Sequence, residues 1–114
     1  MNERETRVAE NQNTFRRANE QIEGTAEDLG DSLTVRLIPF LCECADARCT
    51  KVIQVTLSEY EAIRADPTRF AIAPGHEIAF EDERVVSRSE RFTTVEKVGE
   101  PGRLAAESDP RQSD

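Results

Sequence analysis

The segment Cys42-Glu43-Cys44-Ala45-Asp46-Ala47-Arg48-Cys49 places three thiols within eight residues, and the only histidine of the chain follows in Pro74-Gly75-His76. Three thiols and one imidazole form a complete tetrahedral ligand set of the kind Zn²⁺ takes in closed structural sites. Cys42 and Cys44 are two apart, and on an extended chain residues i and i+2 share a face, so both thiolates reach one ion directly. The four residues between Cys44 and Cys49 are enough for a turn that returns the third thiolate. His76 lies beyond a further 26 residues. It can be the fourth ligand only if the Pro74-Gly75 turn sits against the cysteine loop, which is a tertiary expectation. Asp46 or Glu43 is the substitute ligand if it does not. An iron–sulfur cluster would take a fourth cysteine, which the sequence lacks. Arg48 and Lys51 flank Cys49; they are expected to offset the negative charge of a Cys3His zinc site and to lower the thiol pKa values.

A staple matters here because the chain is short. Of 114 residues, 37% are hydrophobic and 33% charged, so the core is small and the ends are solvated. The expected organisation is an N-terminal helix over residues 1–31, a zinc-stapled α+β domain over 32–98, and a disordered acidic tail over 99–114. Below about 70–80 residues a hydrophobic core rarely stabilises a domain unaided, and a metal commonly makes up the shortfall.

Val8, Phe15, Ala18, Ile22, Ala26 and Leu29 recur at helical spacing, which predicts one helix from about Glu3 to Leu29. Its apolar stripe is thin, with Asn11 where another apolar residue would stand, and cannot hold a helix in water alone. Docking on its own domain through Phe15 to Leu29 is expected, with a second copy or a partner as the other supports. Gly30-Asp31-Ser32 breaks the helix. Thr34 to Ile38 and Lys51 to Val55 read as strands of a hairpin carrying the thiols at its tip. Thr56-Leu57-Ser58-Glu59 fits a capping box, opening a short helix with Leu57, Tyr60 and Ile63 on one side and ending at Asp66-Pro67. Arg69 to Ala73 is a third strand, halted by Pro74-Gly75. Val85 to Arg88 and Phe92 to Val98 form a last hairpin. Glu81-Asp82-Glu83 reads as a solvated turn, and Tyr60 as a core residue with its hydroxyl at the edge. After Gly102 the chain has almost no apolar residues, so at most a nascent helical turn is expected at Arg103 to Glu107. The fold class is therefore α+β: an N-terminal helix, then a small, mainly antiparallel sheet with one short helix, stapled by a Cys3His zinc site.

Several blocks together, Asn13 to Glu23, Cys42 to Cys49, Leu57 to Pro67 and Arg69 to His76, resemble an uncharacterised family of small actinobacterial proteins with a C-x-C-x4-C…P-G-H pattern. The likeness runs from Asn13 to Gly99. It implies that Cys42, Cys44, Cys49 and His76 belong to one design, and it implies no activity. Pro39-Phe40-Leu41 before Cys42 departs from the pattern and makes the first strand irregular near its end.

Acids outnumber bases 23 to 15, with 8 against 4 over residues 1–31 and 4 against 2 over 99–114. No part is basic, so the electrostatic footprint for nucleic acid is missing. No apolar run reaches the length of a membrane span, and the N-terminus lacks the order of a signal peptide. A cytoplasmic location is expected, where clustered thiols favour metal over disulfides. The function expected is a non-enzymatic zinc-binding module, for protein interaction or regulation, that meets an unidentified protein through the N-terminal helix or a sheet edge, as a monomer or a homodimer. A thiol-based redox or metal sensor using the same cysteines is the alternative. A zinc hydrolase with Glu43 or Glu77 as base would need an open coordination position and is disfavoured by the lack of further histidines.

Overall fold

A computed structural model describes residues 3–28, 36–44, 46, 48–77 and 83–111 of the chain, with the side chains of the first helix described from Glu10 to Glu27. The expected helix break at Gly30-Asp31-Ser32, Leu29, the strand start at Thr34-Val35 and the Glu81-Asp82 turn lie outside these residues. The element order is α1 (Glu3–Asp28), β1 (Ile38–Leu41), β2 (Val52–Val55), α2 (Leu57–Arg64), β3 (Arg69–Ile72), β4 (Glu83–Arg88), β5 (Thr93–Lys97) and α3 (Gly99–Glu107). The strands form two antiparallel sheets, β1-β2 and β3-β5-β4, so the expected α+β class holds.

The first hairpin pairs Ile38 with Val55 and Leu41 with Val52. Its first strand thus begins at Ile38 rather than ending there. Alternation explains the register: Ile38 and Phe40 are buried opposite Val55 and Ile53, while Pro39, which cannot donate to a ladder, is exposed on a strand with a single neighbour. Pairing continues into the loop, where the Cys42 amide donates to the Lys51 carbonyl at 3.0 Å. Helix α2 starts at the expected capping box. The Glu59 amide donates to Thr56 Oγ1 at 3.1 Å and the Thr56 amide to Glu59 Oε1 at 2.9 Å. It buries Leu57, Tyr60 and Ile63, and Tyr60 stacks on Phe40 with ring centroids 4.4 Å apart.

Helix α1 docks on the body of the chain, but through an unexpected face. The buried positions are Gln12, Arg16, Asn19, Glu23 and Ala26, a stripe rotated by roughly 70° from the apolar one at 100° per residue. Gln12 Nε2 donates to Glu83 Oε1 at 3.3 Å, Arg16 Nη1 to the Pro67 carbonyl at 2.6 Å, and the Arg16 guanidinium lies 4.6 Å from the Phe70 ring centroid. Phe15, Ala18 and Ile22 are only half-buried. Ala18 and Ile22 line a groove of about 630 Å³ with Leu37, Ile38 and Pro39. Hydrogen bonding, rather than apolar burial, chooses the docked face.

Residues 99–111 are not a disordered tail. Gly99–Glu107 is helical, with Pro101, Gly102 and Ala105 buried. A Cβ on Gly102 would lie 2.6 Å from the Lys97 carbonyl oxygen, so glycine alone allows α3 to turn this closely over the end of β5. Arg16 Nη2 donates to the Ala105 carbonyl at 2.8 Å. Asp109 pairs with the buried Arg64, and Arg111 bridges Glu20 of α1 and Glu61 of α2 at 2.6 and 2.8 Å and also meets Glu23. These contacts are polar and distant in sequence, which is why hydropathy alone read the segment as unsupported.

Candidate metal centre

Helices α1 and α3 are thus tied to one body, and the cysteine loop leaves β1 alongside β3. Cys42 and Cys44 follow β1 in an extended segment and are 1% and 4% exposed, while Cys49 is half-buried. The loop is closed by the Cys49 amide on the Asp46 carbonyl at 3.0 Å and the Arg48 amide on Asp46 Oδ1 at 2.9 Å. That turn brings the third thiol back, as the spacing requires.

The imidazole arrives from β3. Beyond Ile72 the chain turns at Pro74-Gly75, closed by the His76 amide on the Ala73 carbonyl at 3.1 Å. Gly75 has φ +86°, the left-handed position that follows proline in a type II turn and favours glycine. His76 Nδ1 then lies 3.5 Å from Cys42 Sγ and 3.7 Å from Cys49 Sγ. Cys42, Cys44, Cys49 and His76 each present one ligand atom, all within 4.8 Å of one another. The four residues singled out from sequence are brought together. Asp46 and Glu43, the substitutes, are not in the group.

The site is built on the free edge of β3. Ala71 and Ala73 are two apart, so their amides point to the same edge. The Ala73 amide donates to Cys42 Sγ at 3.1 Å and the Ala71 amide to Glu43 Oε1 at 2.9 Å, while the Glu43 amide donates to the Ala71 carbonyl at 2.8 Å. A sulfur, a carboxylate and a backbone bond thereby replace a further strand. The hydrogen bond to Cys42 Sγ is also the outer-shell support that a metal thiolate receives from backbone donors.

Electrostatics differ from expectation. Arg48 and Lys51 are exposed, and burial dominates. It pushes the Cys42 thiol up, opposed by the Ala73 amide and assisted by the neighbouring Cys44 and Cys49 sulfurs, and burial raises Cys44 as well. Buried thiols crowded this closely cannot all ionise on their own, because each thiolate repels the next. A cation reverses that balance.

Glu43 is a residue whose role sequence reasoning missed. It is fully buried, and Oε2 accepts from Asn19 Nδ2 at 2.8 Å and from the Tyr60 hydroxyl at 2.9 Å. Burial raises its pKa while the donors Asn19, Ala71 and Tyr60 oppose the rise. The Tyr60 hydroxyl is therefore inside the core rather than at its edge. A lone carboxylate between two ligand cysteines was the available signal. Among the described residues a second cluster, Glu23, Glu27 and Glu61, brings three carboxylates together. Arg111 answers Glu23 and Glu61 there, and burial, with the hydrogen bond that the protonated Glu23 carboxyl donates to Glu61, holds the Glu23 pKa up at about 8.

Compared with known proteins, the chain matches no family model, no curated protein and no solved structure. Its chemistry is read from the geometry above.

Proposed function

We propose that this chain is a non-enzymatic zinc-binding protein of the cytoplasm in which Zn²⁺ on Cys42, Cys44, Cys49 and His76 holds the fold for a protein–protein interaction. One observation carries the reading. Ordinary Zn–S and Zn–N bonds in a tetrahedron put sulfur and nitrogen about 3.6 Å apart, and the two sulfur–imidazole separations are 3.5 and 3.7 Å. Those two separations fit a shell of three sulfurs and one nitrogen, which would fill the four positions of a tetrahedral ion. A closed site supports a structural role over hydrolysis. Glu43, one of the two candidate bases, has both carboxylate oxygens engaged by Asn19, Tyr60 and Ala71. Burial of Cys42 and Cys44 likewise favours structural metal over thiol-based sensing, which needs accessible thiolates.

The interaction role draws on α1, where Phe15 and Ala18 are half-buried and Ile22 packs on the core with part of its surface left open, and on a net charge of −8, which suits a basic or mixed protein partner rather than nucleic acid. Among the described residues no helix is long and apolar enough to cross a membrane.

Replacing Zn²⁺ with Co²⁺ tests the ligand set. The parent should give the absorption of a tetrahedral three-sulfur, one-nitrogen site, and His76→Ala should alter that spectrum and bind zinc more weakly. A spectrum and affinity unchanged in His76→Ala would remove the histidine from the site.

Zinc uptake should also release protons. Burial keeps the Cys42 and Cys44 thiols protonated at neutral pH, and a ligand thiol must be deprotonated, so affinity rises with pH. Titration with zinc in weakly buffered solution should acidify it; affinity that does not change between pH 6 and pH 8 would contradict thiolate ligation.

A further inference from the structure

Two zinc ligands bracket Glu43, and none of the contacts that Glu43 makes is to the ligand group. Its carboxylate joins Asn19 of α1, Tyr60 of α2 and the Ala71 amide of β3. Asn19 holds the same stretch a second time: Nδ2 donates to the Leu41 carbonyl and Oδ1 accepts from the Leu41 amide, each at 2.8 Å. The backbone from Leu41 to Cys44 therefore has two clients. Cys42 and Cys44 fix its path when both bind one ion, and Asn19 reads that path from α1.

The rest of the α1 contact is suited to release. Its docked face is Gln12, Arg16, Asn19 and Glu23, with Ala26 the one fully buried apolar residue among the described side chains of the helix. Polar groups leaving such a face regain hydrogen bonds with water, while the apolar surface given up is that of Ala26 and Ile22 and of the Phe70 ring beneath Arg16. Gln12 on Glu83, Arg16 on Pro67 and Ala105, and Glu20 and Glu23 on Arg64 and Arg111 tie the helix to the rest of the body, so the Asn19 anchor is the one through which the cysteine loop acts on it.

We propose that occupancy of the Cys3His site controls the docking of α1, with Glu43 and Asn19 as the coupling pair. The coupling rests on the zinc reading above. With the ion bound, Leu41 to Cys44 is held in register, Glu43 meets Asn19, and α1 lies on the body. Loss of the ion frees the loop, withdraws the Glu43 carboxylate and the Leu41 backbone from Asn19, and lets α1 swing away with Phe15 and Ile22 available to a partner. Linkage makes the effect reciprocal: if zinc favours docked α1, docked α1 tightens zinc by the same factor.

Reciprocity supplies the test, because Asn19 touches no ligand atom. Chelating the zinc would not separate release of α1 from general unfolding, so the informative sample is the full-length Asn19→Ala variant loaded with zinc. Its zinc affinity, measured by competition with a chromogenic chelator, should fall by about tenfold, within the usual range of coupling between sites. Its Co²⁺ spectrum should match the parent. Hydrogen exchange should quicken over residues 12–26 of the loaded variant and stay at the parental rate over β3 and β5. If Asn19→Ala does not fold, Glu43→Gln, which keeps the shape and drops the charge, should shift affinity and exchange in the same direction. Parental zinc affinity, or α1 exchange that does not follow the affinity, overturns the coupling alone. A parent chain that takes up no zinc and gives no thiolate–cobalt spectrum overturns the zinc reading and this coupling with it.

Discussion

Cys44→Ser should abolish cooperative folding at moderate temperature, whereas Ser87→Ala should melt with the parent. Cys44 is 4% exposed and belongs to the four-ligand group, and a hydroxyl does not replace a deprotonated thiol on zinc. Binding free energy at a structural zinc site is folding free energy, on the order of 10–16 kcal/mol in zinc-finger peptides. The whole stability of a domain is only about 5–15 kcal/mol. Loss of a ligand should therefore cost far more than the roughly 10–100-fold in metal affinity that removing an outer-shell partner costs. The position of the site compounds the loss, since the same loop caps the edge of β3 through Cys42 and Glu43. Ser87 is exposed on β4 and has no part in this. Circular dichroism melts with metal content measured on the same samples check the prediction. Equal melting and equal zinc content in Cys44→Ser and the parent would show that the metal does not hold the fold.

Truncation after Val98 should be nearly as damaging, although the segment it removes has the composition of a tail. The buried Arg64 guanidinium would lose Asp109, and Arg16, itself fully buried, would lose the Ala105 carbonyl. Glu20, Glu23 and Glu61 would lose the arginine that holds them together. Removing one partner of a buried pair costs about 3–5 kcal/mol when the other charge is left uncompensated; Arg64 keeps Glu20 at 2.6 Å, but the loss of Asp109, of the Ala105 carbonyl and of Arg111 together reaches that range. For a chain of this size that lowers Tm by well over about 10 °C. Arg103→Ala is the matching control. Its ion pairs with Glu100 and Glu107 lie on the exposed side of α3, where such pairs contribute about 0–1 kcal/mol. Thermal melts of the zinc-loaded proteins decide it, and a truncated chain that melts with the parent would mean that α3 does not support the body.

How much of this was legible in the sequence depended on the range of the physics involved. The capping box at Thr56 and Glu59, the halt at Pro74-Gly75, and the Ile53 and Val55 alternation are local, and local patterns carry them. The three thiols were legible for the same reason, because spacing on an extended chain and one short turn already bring them near a common point. The strand before Cys42 was placed too early because Thr34 to Ile38 alternates by itself, whereas the pairing runs from Ile38 to Leu41 through an edge position that accepts Pro39.

What the sequence by itself determined is the inventory of candidate ligands, the two short-range devices that shape the loop and the turn, and the order of helices and strands as far as β5. Tertiary structure alone decided that His76 reaches Cys42 and Cys49, since β3 must first lie beside the cysteine loop. It also decided which face of α1 is buried and whether residues 99–111 are ordered. Both outcomes turn on Arg16, Asn19, Glu23, Asp109 and Arg111, whose partners are distant in the chain. Apolar burial leaves a periodic trace in the sequence because every residue on the buried face must be apolar. Buried hydrogen bonds and ion pairs leave none, since each polar residue needs only its own partner, and that partner is specified by the folded chain.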